Sequence, residues 1–521
     1  MIRVRQVKVL IEEDNLLEKI SKKLRVDVSD IVGYKIVKKS IDARDKNNIY
    51  YVYEVDVEVI NERKIRLGGD ILITPKEEYS YSITGEEILD NRIVIVGAGP
   101  AGLMCGYMLA EAGYSPLIIE QGEPIEDRVK TVEEFFETNK LNTLSNIQFG
   151  EGGAGTFSDG KLNTLVKDKR FIGKKVFEIF VENGAPEEIM YINKPHIGTD
   201  ILRNVIINIR KKIISMGGEF RYNTKLTDIN IDNNKINSII VNGDEEILCS
   251  VLVLAIGHSS RDTFKLLLDK GFSMKNKNFA VGLRIEHPQD MINKSQYGDK
   301  YKLLPPADYK LTYQSNSGRG VYSFCMCPGG FVVNASSEEN RLVVNGMSNY
   351  KRDGLNANSA LVVTVSSKDF GEDVLGGVEY QRRLEEKAFS LGKGFIPIQL
   401  YGDFKDNKIS TCLGDVTPNT KGNYNFGNLR ELFSEDITSS LIEGIEYFSN
   451  KIDGYNRGDS ILLGVESRTS SPIVIERDEE LVSSVSGVYP CGEGCGYAGG
   501  ITTASMDGIK VFESIIKKYR I

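Results

Sequence analysis

Arg92-Ile93-Val94-Ile95-Val96-Gly97-Ala98-Gly99-Pro100-Ala101-Gly102 is the stretch that decides the fold. Ile93 to Val96 is apolar at every position, as suits a parallel strand buried on both faces. A G-x-G-x-x-G turn follows at once, with Pro100 and Ala101 leading into a helix that runs to Ala112. Pro116-Leu117-Ile118-Ile119-Glu120 is then a second buried strand, and it ends in an acid. Each glycine has a physical task in this β-α-β setting. Gly97 permits the tight turn, Gly99 lets the backbone approach a pyrophosphate at the helix N-terminus, and Gly102 allows close helix–strand packing. Glu120 can accept hydrogen bonds from an adenosine ribose, and its charge disfavours a 2′-phosphate.

Working outward, a helix that Thr199 or Asp200 can cap runs to Met216 and leads to a third strand, Glu219 to Tyr222. Lys225 to Leu248 alternates around Asn233-Asn234 and Asn242-Gly243, as a β-meander does. Val251 to Gly257 is a fourth buried strand, and Gly487 to Cys491 with a helix from Ile501 to Lys517 closes the chain. Residues 281–460 lose the alternation of strand and helix. At the other end, Ile2 to Ile11, Asp14 to Leu24, Tyr34 to Lys39 and the alternating Ile49 to Val59 read as a β-α-β-β module. The expected fold is therefore α/β. A discontinuous Rossmann-like dinucleotide domain (91–280 and 461–521) carries an inserted mixed α/β substrate domain (281–460) and a small N-terminal α+β module with a polar linker (1–90).

Composition narrows the function. At 521 residues, 41% hydrophobic and 26% charged, the chain is an ordinary globular protein with room for two or three domains. A net charge of −8 argues against a large nucleic-acid surface. The basic run from Lys35 to Lys46 is balanced by acids elsewhere in the module and reads as a solvated face. No apolar run is long enough for a membrane span, and the N-terminus is strand-like, so a cytoplasmic protein is expected. The seven cysteines are expected to be reduced, and the three histidines show no metal-ligand spacing.

The dinucleotide is read from two further segments. Gln148 to Lys161 is a glycine-dense loop containing Gly152, Gly153, Ala154, Gly155, Thr156, Ser158 and Gly160, for which an NAD domain has no use. It resembles the loop that flavoproteins of the glutathione-reductase-like type lay against the flavin diphosphate and ribitol. Tyr489-Pro490-Cys491-Gly492-Glu493-Gly494 resembles their second FAD motif, in which an acid binds the ribitol; the usual acid is Asp, so Glu493 is a departure. Gly499-Gly500-Ile501, followed by Ala504, opens the last helix, whose free N–H groups can face the flavin pyrimidine edge. FAD is the expected cofactor, with Gln121, Arg128, Lys161 and Gly257 completing the expected contacts.

Taken together the chain resembles a largely uncharacterised family of bacterial FAD-dependent dehydrogenases over nearly its whole length. The resemblance also rests on Lys39 to Arg44, Ala255 to Asp262, Arg284 to Pro288, Cys325 to Gly330 and Gly464 to Thr469. It implies an oxidoreductase with a small organic substrate, without naming the reaction. Two other readings stand beside it: a flavin-dependent RNA-modifying protein, and a non-catalytic flavin-bound redox sensor. Lys161, Arg284 and Arg468 are candidates for an anionic substrate or the flavin edge, His258 for a proton donor, and Cys327 with Cys325 for a redox pair. Only one complete dinucleotide unit occurs, so a nicotinamide nucleotide, if used, must visit transiently.

Overall fold

Five parallel strands, in the order Val488–Pro490, Val251–Leu254, Ile93–Val96, Leu117–Ile119 and Glu219–Arg221, form the sheet on which the site is built. The computed structural model describes residues 1–164 and 166–521. Buried apolar clusters cover both faces of the sheet, which is why its strands are apolar without alternation. The meander is present as Leu226–Asp232, Lys235–Val241 and Glu245–Leu248. Its turns at Asn233-Asn234 and Asn242-Gly243 all have positive φ, the geometry that tight hairpins require.

The inserted domain is built on a seven-stranded sheet. Its order is Thr312–Gln314, Gly320–Cys327, Asn356–Val365, Phe279–Pro288, Ile461–Glu466, Ile396–Leu400 and Tyr424–Phe426, antiparallel except for the last pair. This corrects the division at residue 461. Ile461–Glu466 pairs with Phe279–Pro288 and Ile396–Leu400 and is a central strand of the inserted domain. Its apolar run marks a buried strand but cannot say which of two sheets buries it.

Two further expectations change. The stretch from 61 to 90 is more than a linker: Ile71–Ile73 pairs with Ile2–Leu10 as a fourth strand of the N-terminal sheet. The chain then runs along the final helix, Ile501–Lys518, with Tyr81 edge-on to Phe512 and the Gly85 N–H donating to the Ile516 carbonyl. The helix Thr199–Ser215 is capped by neither residue named above; Gly198 occupies the cap position. Thr199 donates its hydroxyl to the Thr156 carbonyl and Asp200 accepts the Tyr350 N–H, so both side chains hold loops.

Charged side chains join the two large domains. Arg261, on the dinucleotide side, and Arg468 both form paired hydrogen bonds to Glu385 on the inserted domain's helix Gly376–Leu391. Burial pushes the Glu385 carboxyl up, yet the two guanidiniums hold it well below the usual carboxylate range. Glu286 is the opposite case. It is fully buried, accepts the Asn419 N–H with its two oxygens, and burial pushes its pKa up to about 8. Because its folded-state pKa lies above the unfolded value, the stabilisation it gives is complete below the unfolded pKa and is lost as pH rises toward 8. The melting temperature of the native protein should therefore fall relative to Glu286→Gln between about pH 5 and pH 9. Differential scanning calorimetry of both proteins checks this, and parallel curves would count against a protonated Glu286.

Candidate functional site

The glycine motifs, 403 residues apart along the chain at their extremes (Gly97 to Gly500), meet at the carboxyl edge of the five-stranded sheet. Gly97 follows the central strand, Glu120 its neighbour, Gly257 the strand on the other side, and Gly492 and Glu493 the outermost strand. This edge is where doubly wound sheets bind ligands. Gly97 has φ 103°, and a Cβ there would stand 2.3 Å from the Ala255 carbonyl oxygen. A Cβ on Gly102 would stand 2.0 Å from the Gly97 carbonyl oxygen, so this glycine is required for the helix to approach. Gly153 lies against Gly99, Gly155 against Ile501, Gly492 against Ala101 and Gly494 against Gly257. The structure thus brings the four expected segments together.

Glu120 is 7% exposed and accepts three backbone N–H groups: Ala98 at 2.9 Å, Gly122 at 3.0 Å and Gly150 at 2.9 Å. A carboxylate offers about four lone-pair positions, so room remains for one ribose hydroxyl rather than a full pair. Arg128, expected as a cofactor contact, has its donors on protein instead. Its guanidinium is fully buried and donates to the carbonyls of Asn146, Ile147, Gly150, Glu151 and Gly153. Burial pushes its pKa down to about 10. It holds the glycine loop from behind. Thr156 and Ser158 likewise donate their hydroxyls to loop carbonyls, of Glu151 and Gly155. Gly160 packs on Gly198, away from Gly99, while Gln121 is half-buried beside Glu120.

The residues expected to carry chemistry divide sharply. Arg284 is fully buried and donates to Glu466, Asn358, Asn345 and the Cys325 carbonyl. Arg468 donates to Glu385, Ser259 and Ser337. Each is buried and has four hydrogen bonds to protein, so both act as internal fasteners. Lys161 reaches from the end of the glycine loop to the Met326 carbonyl. That carbonyl sits in a bulge of strand Gly320–Cys327, where pairing with Asn356–Val365 shifts register and Cys325 takes φ 42°. The bulge separates the two thiols. Cys327 is buried and donates to the Cys325 carbonyl, whereas Cys325 is exposed. Of the two thiols expected as a redox pair, Cys325 is accessible and Cys327 is not. Cys327 is not a ready nucleophile, since burial raises its thiol.

His258 stands with its Nδ1 3.4 Å from a Glu493 oxygen. Gly257, Gly499 and Gly500 have open space where a Cβ would lie. An open groove floored by glycine backbone, with an acid at either end, fits a dinucleotide that carries two polyol segments. Sequence reasoning missed Asp507, which accepts the Gly492 N–H and both ends of the Arg477 guanidinium. An acid in the otherwise uncharged first half of the last helix was its signal. It also missed Gln148 and Ser259, whose hydrogen bond joins the glycine loop to the strand end and to Arg468.

Comparison with known proteins adds to this geometry. Residues 278–469 match the family described as FAD-dependent protein, C-terminal domain-like, and residues 95–134 match an NAD(P)-binding Rossmann-like domain. Residues 1–58 match a domain of unknown function. A Clostridium beijerinckii protein, itself described as uncharacterised, is 49% identical over 530 residues and covers 99% of each chain. The chain belongs to an uncharacterised FAD-dependent family. FAD is its cofactor, and the flavoprotein's fold is the Rossmann-like α/β fold expected. Among solved structures, glycine oxidase from Bacillus cereus is 11% identical with TM-score 0.36, covering 83% of this chain and 98% of that one. The FrdA subunit of E. coli quinol fumarate reductase is 13% identical with TM-score 0.36, covering 82% and 70%. Likeness at that level carries no argument about substrate.

The three N–H bonds to Glu120 make a test of this flavoprotein's cradle. Glu120→Ala should weaken FAD binding by about 1.5–3 kcal/mol, or ten- to a hundred-fold. It should also lower the melting temperature of the flavin-free protein, because buried donors lose their acceptor. Fluorescence titration with FAD and thermal melts of the stripped protein measure the two effects. A weaker FAD affinity with an unchanged melt would mean that Glu120 serves the ribose alone.

Proposed function

We propose that this protein is an FAD-dependent oxidoreductase acting on a small organic substrate in the space between its two large sheets. One observation carries the reading: the open glycine cradle abuts the bulge of the inserted domain, through the Lys161 contact with the Met326 carbonyl. Lys161 has donors beyond that single carbonyl, Cys325 of the bulge is exposed, and His258 stands beside Glu493. FAD, when bound, supplies two-electron oxidation or reduction. The chain's part is to hold both partners and limit water. Arg468 ties Glu385 of the inserted domain to Ser259 beside the cradle and Arg284 braces the inserted domain from within, which leaves recognition to Lys161, His258 and the bulge. The seven free cysteines suit a reducing compartment, and we place the protein in the cytoplasm. Among the described residues no helix is long and apolar enough to cross a membrane.

A nicotinamide nucleotide has no dedicated domain among the described residues. Its nearest candidate, Gly392-Lys393-Gly394, ends the helix Gly376–Leu391 instead of starting one, with Lys393 and Gly394 at positive φ. Such a turn presents carbonyls, not N–H groups, and repels phosphate. NADH and NADPH should therefore reduce the flavin slowly, with rates that rise linearly with concentration and differ little between the two. Anaerobic stopped-flow mixing tests this. Saturation in the micromolar range by one nucleotide would require a nicotinamide site elsewhere in the fold.

A further inference from the structure

We infer that His258 and Glu493 act as one unit in holding FAD, the imidazole fixing the carboxylate where it meets the ribityl chain. The inference rests on the reading of Glu493 as a cofactor ligand. It starts from a flexible side chain. Glu493 is on a loop, and among the described residues no backbone N–H or side chain donates a hydrogen bond to its carboxylate. Its one close polar neighbour is His258, 3.4 Å away. An unrestrained glutamate must lose its rotamer freedom when a ligand binds, whereas one already held has less to lose.

The imidazole is itself well placed to do the holding. His258 follows Gly257 at the end of a central strand, with only 13% of its side chain accessible. The residues after it are tied down, Ser259 to Gln148 and Ser260 to the Ile256 carbonyl. The two loops are also locked together, because a Cβ on Gly494 would stand 2.3 Å from the Gly257 carbonyl oxygen. His258 differs from the other two histidines. His196 and His287 each set Nε2 against a backbone carbonyl, of Tyr350 and Tyr455, while the Nε2 of His258 is buried with no partner. Its one resolved polar contact is Glu493. The charged groups nearby are Glu466, paired with Arg284, and Lys277, whose ammonium bonds the Gly496 carbonyl. Neither cation lies within ion-pair distance of Glu493.

The test is a double-mutant cycle on FAD affinity, read by flavin fluorescence on flavin-stripped protein. His258→Ala and Glu493→Gln should each weaken binding about tenfold, and the double variant should be no weaker than the weaker single. His258→Asn keeps an N–H donor near the Nδ1 position and should restore affinity to within about threefold, with the visible circular dichroism of bound flavin returning with it. Effects that multiply in the double variant overturn the inference. So does an unchanged affinity in His258→Ala beside a weakened Glu493→Gln, which would leave Glu493 a ligand acting alone. If neither variant changes affinity, Glu493 leaves the cradle and the wider reading of that motif fails. Thermal melts of each variant separate loss of fold from loss of cofactor, and Asn rescue is not expected of a residue that only fills space.

Discussion

The buried carboxylate of Glu120 is the point on which the cofactor cradle is hung. It collects N–H groups from the turn after the first strand, from its own strand end and from the glycine loop, three pieces of chain that meet on it. Arg128 does the complementary work, taking five carbonyls of the same loop onto one guanidinium. A loop so rich in glycine has little intrinsic reason to keep one shape, and its backbone entropy opposes order. One acceptor group and one donor group, both charged and both buried, supply the order from outside.

The same device recurs between domains. Glu385 receives two guanidiniums, and Arg468 carries the connection on through Ser259 to Gln148 at the start of the glycine loop. The inserted domain is thus connected by hydrogen bonds to the loop that lines the cradle. Buried ion pairs of this kind gain little net stability over apolar packing, but breaking one leaves a bare charge at a cost of about 3–5 kcal/mol. Their contribution is to the geometry: they permit one docking of the two domains and penalise others.

This explains what the sequence could and could not reveal. The cradle was legible because its constraints act on the backbone, and only glycine meets them at Gly97 and Gly102. The five strands were legible because burial on both faces leaves apolar runs. Arg284, Arg468 and Cys327 were assigned outward-looking tasks because a buried arginine and a binding arginine look alike in a sequence. The arginines' partners lie far along the chain, as Ser259 does from Arg468, and no local pattern ties them. The strand Ile461–Glu466 was given to the wrong sheet for the same reason. The stretch from 61 to 90 was called polar and therefore a linker, but its structure comes from backbone pairing with the final helix and with Ile2–Leu10, which side-chain polarity does not forbid.

That pairing has a mechanical consequence for the cofactor site. The final helix, Ile501–Lys518, begins at the open Gly499-Gly500 pair and ends where Tyr519–Arg520 pairs with Glu87–Ile88. Tyr79 donates to Glu513 near its middle, and Gly508 lets it lie against the Ala101 carbonyl of the first dinucleotide helix. The helix that opens beside the flavin segment is therefore held along its length by the segment leaving the N-terminal module. Lys39 of the module adds a second anchor by pairing with the backbone of Tyr191 and Asn193, close in sequence to the Lys161–His196 bridge. The module contains no cofactor motif, yet it braces both the final helix and the segment that pairs with the glycine loop. A small domain can matter to a site in this way, by holding the segments that adjoin two glycine-rich parts of the cradle.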